Sequence, residues 1–329
     1  ALADEGVEHV FGYPGGAVLH IYDALFQQER INHYLVRHEQ AAGHMADAYS
    51  RVTGKTGVVL VTSGPGATNT VTPIATAYMD SIPMVILSGQ VASHLIGEDA
   101  FQETDMVGIS RPIVKHSFQV RHASEIPAII KKAFYIASSG RPGPVVLDFP
   151  KNAQNHTCEW NPIKVDNVRS YNPYPAIDSS AIEEAAKLIN GAKKPFALVG
   201  QGVELGNAQN ELVEFLEKAD IPAGRTLLGL SALPTDHPLD IGMLGMHGTK
   251  AANFAVQQCD LLLVVGARFD DRVTGRLNAF APHAKVIHLD VDAAELGKRR
   301  AVHVSLQADF KQVLPALTMP LQVTAWQDH

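Results

Sequence analysis

The stretch Leu35-Val36-Arg37-His38-Glu39-Gln40-Ala41-Ala42-Gly43-His44-Met45-Ala46-Asp47-Ala48-Tyr49 decides the fold class. A short apolar strand over residues 33–36 breaks at two basic residues into a helix that starts near Glu39 and runs to about Val52. Small residues at Ala41, Ala42, Gly43, Ala46 and Ala48 let another backbone or a flat ligand come close to that helix. Glu39 is the carboxylate of its first turn. An acid there complements the helix dipole by roughly a few tenths of a kcal/mol, which is the bland explanation. A functional one gains force from the flanking sequence, where small-residue turns at 12–17 and 62–69 each follow an apolar strand. Ligands of open α/β sheets bind at that carboxyl edge.

Working outward, residues 8–150 alternate strand and helix. Strands are expected at 8–13, 33–36, 57–62, 83–88 and 144–149, with helices at about 17–27, 39–52, 67–80 and 124–138. That pattern is a parallel sheet with helices on both faces. The loop over 89–111 is long for a βα connection, and loops beyond about a dozen residues usually have a task. Its acids Glu98, Asp99, Glu103 and Asp105 read as a solvated surface, whereas Phe101 and Gln102 pair an apolar ring with a neutral donor suited to a small polar substrate. Residues 151–176 gather prolines and lose periodicity, as a linker does. A second α/β unit follows over 177–329, with strands at 195–199, 223–227, 260–265, 285–289 and 302–306. Its first turn, Gly200-Gln201-Gly202-Val203-Glu204-Leu205-Gly206, is one residue off the dinucleotide fingerprint. The expected fold class is α/β, with two doubly wound parallel-sheet domains.

A chain of 329 residues is too long for one typical core, which also favours two domains. Acids and bases are interspersed at a net charge of −7, with no basic stripe for nucleic acid, and no apolar run approaches the roughly 20 residues of a membrane span. Cys158 and Cys259 read as free thiols in a reducing compartment, hence a cytoplasmic protein. The chain opens at Ala1 without a methionine, which reads as a start inside a longer protein. Histidines are many, yet His38 and His44 miss the i, i+4 spacing of a helical zinc pair, so no metal site is expected here.

Eight motifs taken in order carry a resemblance that covers nearly the whole chain: GYPGGA, RHEQAA, TSGPGATN, DSIP, GEDAFQE, SGRPGPVVLDFPK, GMLGMHGT and GARFDDR. The sequence resembles the large catalytic subunit of acetohydroxyacid synthase, or acetolactate synthase, a thiamine-diphosphate family of branched-chain amino-acid synthesis. The resemblance implies that residues 1–150 bind the cofactor's pyrimidine. Glu39 matches the family acid at the far ring nitrogen, and Gly16 matches the backbone that meets the ring. An unperturbed Glu has a pKa of about 4.3, so burial is expected to raise it for proton shuttling. The family decarboxylates pyruvate and joins the remaining two carbons to a second pyruvate or to 2-ketobutyrate, with the cofactor as electron sink. Gln102 and Lys151 match residues near the chemistry, and Ala17, Ala92, Phe101, Gln102 and Lys151 match the substrate channel. Ala92 stands where some relatives have proline, and Asn152 where aspartate is usual.

The resemblance further implies that 177–329 is a Rossmann-like FAD-binding middle domain. Arg141, His247, Gly248, Thr249, Gly266, Arg268, Asp290 and Asp309 match its flavin contacts, with Ala308 replacing an expected glycine. The Mg2+ that holds the diphosphate needs a Gly-Asp-Gly segment, which these residues lack, so the metal is expected in a third domain beyond His329. The chain alone is then expected to be inactive, and the family works as a homodimer with a regulatory small subunit. Two other readings stay open: another carboligase or decarboxylase of the same fold, and a truncated, non-catalytic flavin-binding protein.

Overall fold

The computed structural model describes residues 1–160, 163–165 and 167–322. Asn161 and Pro162, counted above in the linker, lie outside the described residues. The chain divides into two compact units, Ala1–Asn172 and Pro173–His329.

In the first unit the strands are β1 (His9–Tyr13), β2 (Asn32–Leu35), β3 (Gly57–Val61), β4 (Met84–Gln90), β5 (His116–Gln119) and β6 (Pro144–Pro150). They form one sheet in the order β2-β1-β3-β4-β6-β5, and every neighbouring pair is parallel. The helices are α1 (Leu19–Phe26), α2 (Glu39–Thr53), α3 (Pro65–Thr68), α4 (Val71–Met79), α5 (Met106–Ser110), α6 (Ile126–Ser138) and α7 (Lys151–Asn155). Strands β3, β4 and β6 are buried from end to end. Their period of two divides the core: Val58, Leu60, Val85 and Leu87 pack on one face, and Val59, Val61, Met84 and Ile86 on the other. The helix expected over 67–80 is broken after Thr68 into α3 and α4.

Strand β5 was not expected from the sequence. Its residues His-Ser-Phe-Gln are mostly polar and none is buried because it is an edge strand, so it carries no apolar run to betray it. Chain beyond β6 stays with this unit: Lys115 Nζ donates to Ser139 O and to the Tyr171 hydroxyl, both at 2.8 Å, and lies 5.2 Å from the Tyr171 ring centroid.

The second unit repeats the architecture with β7 (Pro195–Val199), β8 (Ala223–Arg225), β9 (Asp240–Met243), β10 (Leu261–Val265), β11 (Lys285–Asp290) and β12 (Val304–Gln307), in the order β12-β11-β10-β7-β8-β9. All neighbours are again parallel. Its helices are α8 (Ser179–Gly191), α9 (Gly202–Leu205), α10 (Gln209–Ala219), α11 (Lys250–Gln258), α12 (Asp271–Thr274) and α13 (Phe310–Thr318). Edge strand β9, reading Asp-Ile-Gly-Met, was also missed.

The reading of this unit as a Rossmann-like FAD-binding domain needs correction. The strand order is that of a doubly wound sheet, but the turn after β7 is filled by its own chain. A Cβ on Gly200 would lie 2.1 Å from Gly266 O, and one on Gly202 would lie 2.7 Å from Gly266 Cα. The glycines serve the approach of two backbones, not of a pyrophosphate. The helix that opens there, α9, is only four residues long.

Arg225 and Asp240, both buried, pair between β8 and β9, and Arg225 also donates to Leu230 O and Leu233 O. Removing one partner of such a pair leaves an uncompensated charge inside the protein. Arg225→Met is expected to destabilise the second unit by about 3–5 kcal/mol, measured by urea unfolding, with the transition of the first unit unmoved.

Candidate functional site

Because every strand of the first sheet runs the same way, the ends of β1, β2, β3, β4 and β6 share one edge. The register fixes their neighbours, with Gly12 opposite Leu35 on one side and Leu60 on the other. Glu39 opens α2 immediately beyond β2, and His38, extended at the N-cap, accepts from Gln40 N through Nδ1 at 3.1 Å. Glu39 is half-buried, and its Oε2 accepts from Asn69 Nδ2 at 2.9 Å. A Cβ on Gly66 would lie 3.5 Å from Glu39 Oε1 and 2.7 Å from Thr62 Cγ2. The turn after β3 therefore lies against this carboxylate.

The turn after β1 meets the same group. A Cβ on Gly15 would lie 2.5 Å from Thr62 Cβ, and Ala17 N donates to Thr62 Oγ1 at 3.3 Å. A Cβ on Gly16, by contrast, would meet nothing within 4 Å. Thr62 is the post on which both turns lean. The loop after β4 closes a third side: Gly64, at φ +59°, could not carry a side chain, since its Cβ would lie 2.6 Å from Gln102 O. Gln102 itself holds φ +58°, a left-handed conformation that costs a non-glycine residue about 1–3 kcal/mol and is common at ligand sites. Phe101 beside it is 88% exposed.

Lys151 is exposed at the start of α7. Its helix is fastened by Gln154 Nε2, which donates to Ala17 O at 2.7 Å and Phe149 O at 2.8 Å. Asn152 Oδ1 accepts from Ser93 N and Ser93 Oγ at 2.8 and 3.0 Å, next to Ala92. The structure thus sets Glu39, the turn that carries Gly16 and the loop that carries Gln102 against the same 62–66 turn, and links Ala17, Ala92 and Lys151 to this edge through Gln154, Ser93 and Asn152. Asn69 and Gln154 were missed as site residues. Asn69 was signalled only by its place at the end of the second turn.

The remaining residues occupy separate places. Arg141 donates from Nε to Ser81 Oγ at 2.8 Å within the first unit. In the second unit His247, Gly248, Thr249, Gly266, Arg268, Asp290 and Asp309 lie in segments that follow or end β9, β10, β11 and β12, along one sheet edge. Several have local work there. Thr249 and Asp309 cap α11 and α13, Arg268 pairs with Asp270 at 3.0 Å, and Asp290 accepts from Asp292 N.

With this geometry in view, the chain can be set beside known proteins. Residues 1–109 match the model described as thiamine pyrophosphate enzyme, N-terminal TPP binding domain, and residues 182–317 match thiamine pyrophosphate enzyme, central domain. The chain is 54% identical over 316 residues to the acetolactate synthase large subunit of Buchnera aphidicola from Schizaphis graminum, covering 95% of this chain and 55% of that one. It is 52% identical over 331 residues to the isozyme 2 large subunit of Escherichia coli K12, covering 100% of this chain and 59% of that one. The chain belongs to the acetolactate synthase large-subunit family. It spans about half the length of these relatives. The match to the central domain of thiamine-pyrophosphate enzymes also completes the correction made above, because that domain, and not an FAD-binding Rossmann domain, is what residues 182–317 are.

The family assignment puts thiamine pyrophosphate in the first unit, and the residues there fit the pyrimidine half of it. A carboxylate, two glycine-rich turns and open space at Gly16 meet at one sheet edge. Among the described residues no group of three or more His, Cys, Asp or Glu side chains could hold a metal, and no helix is long and apolar enough to cross a membrane.

One buried acid behind the site departs from ordinary behaviour. Asp148 in β6 is 1% exposed, and burial pushes its carboxyl up from 3.8 to about 6. Well below pH 3.8 the group is neutral in the folded and the unfolded chain. Between about 4 and 6 only the folded chain keeps the proton, so the stabilisation present at low pH is lost as pH rises through the folded value. Asp148→Asn removes this linkage. In urea unfolding its stability relative to wild type is expected to rise by about 2 kcal/mol between pH 4 and pH 7.

Proposed function

We propose that this chain supplies the pyrimidine side of the active site of an acetolactate synthase. The full-length protein then condenses two pyruvates to 2-acetolactate and carbon dioxide, or pyruvate and 2-ketobutyrate to 2-aceto-2-hydroxybutyrate. The observation that carries the reading is the Glu39 carboxylate, oriented by Asn69 beside two glycine-rich turns. Thiamine diphosphate, when bound, supplies the electron sink for decarboxylation and carbon–carbon bond formation. Glu39 would hold and return a proton at a ring nitrogen of the bound pyrimidine. Asn69 fixes the carboxylate's orientation by donating to Oε2 and leaves Oε1 toward Gly66. Phe101 and Gln102 border the path of the ketoacid, with Ala17 and Ala92 along its wall. Lys151 attracts the ketoacid carboxylate by charge.

The proposal includes a homodimer, a regulatory small subunit and a cytoplasmic setting, which the family relationship supports. FAD and Mg2+ are implied for the full-length protein by the resemblance alone, and no step here passes through either.

Glu39→Gln keeps the size and the hydrogen bond to Asn69 but cannot carry the proton. In the full-length protein it is expected to lower acetolactate formation from pyruvate by about 10²–10⁴-fold, as loss of a general acid–base group does. A variant within a few-fold of wild type would remove Glu39 from the mechanism. Release of carbon dioxide and acetaldehyde without acetolactate, from the wild type, would favour a decarboxylase of the same fold.

A further inference from the structure

A buried polar node lies at the ends of β4, β5 and β6, next to the loop that carries Phe101 and Gln102. Asp148 Oδ2 accepts from Gln119 Nε2 at 3.1 Å and from Gln90 Nε2 at 3.3 Å. Its Oδ1 is buried without a hydrogen-bond partner among the described residues. Gln90 is the last residue of β4 and 2% exposed. Its Nε2 also donates to Thr104 O at 2.8 Å, and its Oε1 accepts from Val91 N at 2.8 Å. One side chain therefore holds both ends of segment 91–104, and its two amide hydrogens are both used, one on Thr104 O and one on Asp148 Oδ2. Within the segment, Glu103 braces Gly97 N and Ala100 N, so it moves as a unit. The groups facing Asp148 are neutral Gln90 from β4, neutral Gln119 from β5, and Asp105 at the N-cap of α5.

We propose that Asp148 is a positioning residue that, through Gln90, holds the 91–104 segment against the Gly64–Gly66 turn and so sets the binding of the ketoacid. The link to the ketoacid rests on the reading that Phe101 and Gln102 border its path; the tether itself does not. An apolar residue at 148 leaves one buried Gln90 amide hydrogen without an acceptor and so loosens the hold of Gln90 on Thr104. Asparagine keeps an acceptor oxygen and preserves the tether.

The test measures amide hydrogen exchange of the peptide covering 97–104, together with steady-state kinetics on pyruvate, in the full-length protein. Asp148→Leu and Gln90→Leu are expected to speed exchange by about tenfold, the scale of losing one local opening barrier of a kcal/mol or so. Both should raise KM several-fold more than they lower kcat, while Asp148→Asn stays near wild type in both readouts. If Asp148→Leu fails to fold, Gln90→Leu decides alone. Exchange unchanged in the variants that fold overturns the tether. Faster exchange with KM unmoved overturns its role in ketoacid binding. A wild type that makes no acetolactate sinks the proposed function, whereas the exchange data still decide the tether.

Discussion

A parallel strand covered on both faces can place a polar side chain only where a partner waits or where the strand runs out. Strands β3, β4 and β6 are buried along their whole length, their backbones satisfied by the ladder and their side chains divided between two apolar layers. Chemistry therefore gathers at their ends, at Thr62, Gln90 and Lys151. Parallel pairing brings those ends to one edge, beside the end of β1 and the start of α2. An antiparallel neighbour would have sent half of these groups to the opposite edge.

The polar groups that do enter the sheets are each used to fix a loop. Asp148 holds Gln90 and Gln119, Arg225 holds the 230–233 turn and Asp240, and His288 Nε2 meets Ala267 O at 2.9 Å. Burial acts against the charged form in the acid and in the imidazole, pushing Asp148 up and His288 down. None is fully satisfied, since Asp148 Oδ1, Arg225 Nε and His288 Nδ1 are all buried without a partner among the described residues. In surroundings of low dielectric such groups convert stability into fixed geometry at the strand ends.

The two units are both six-stranded parallel sheets but differ in strand order and in what their first turns pack against. Beside Glu39 only Gly16 leaves open space, Gly15, Gly64 and Gly66 being packed against their own chain, while in the second unit Gly200 and Gly202 are filled by the backbone at Gly266. Both turns read alike as letters. The difference is a matter of a few ångströms between chains far apart in sequence, which is why strand order alone carries no cofactor with it.

The alternation of buried apolar runs with helical stretches, residue after residue along 8–150 and 195–306, determined by itself that this protein consists of two parallel α/β units, because period and burial are local properties. The carboxylate at the start of α2 and the two turns beside it were legible for the same reason. Edge strands β5 and β9 were not, since a strand exposed on one side needs no apolar run. Nor could the sequence show that Asn69 orients Glu39, that Gly64 makes room for Gln102, or that Gly200 makes room for Gly266. Those contacts join segments tens of residues apart, and only the packing of the closed sheet decides which small residue faces a ligand and which faces its own chain.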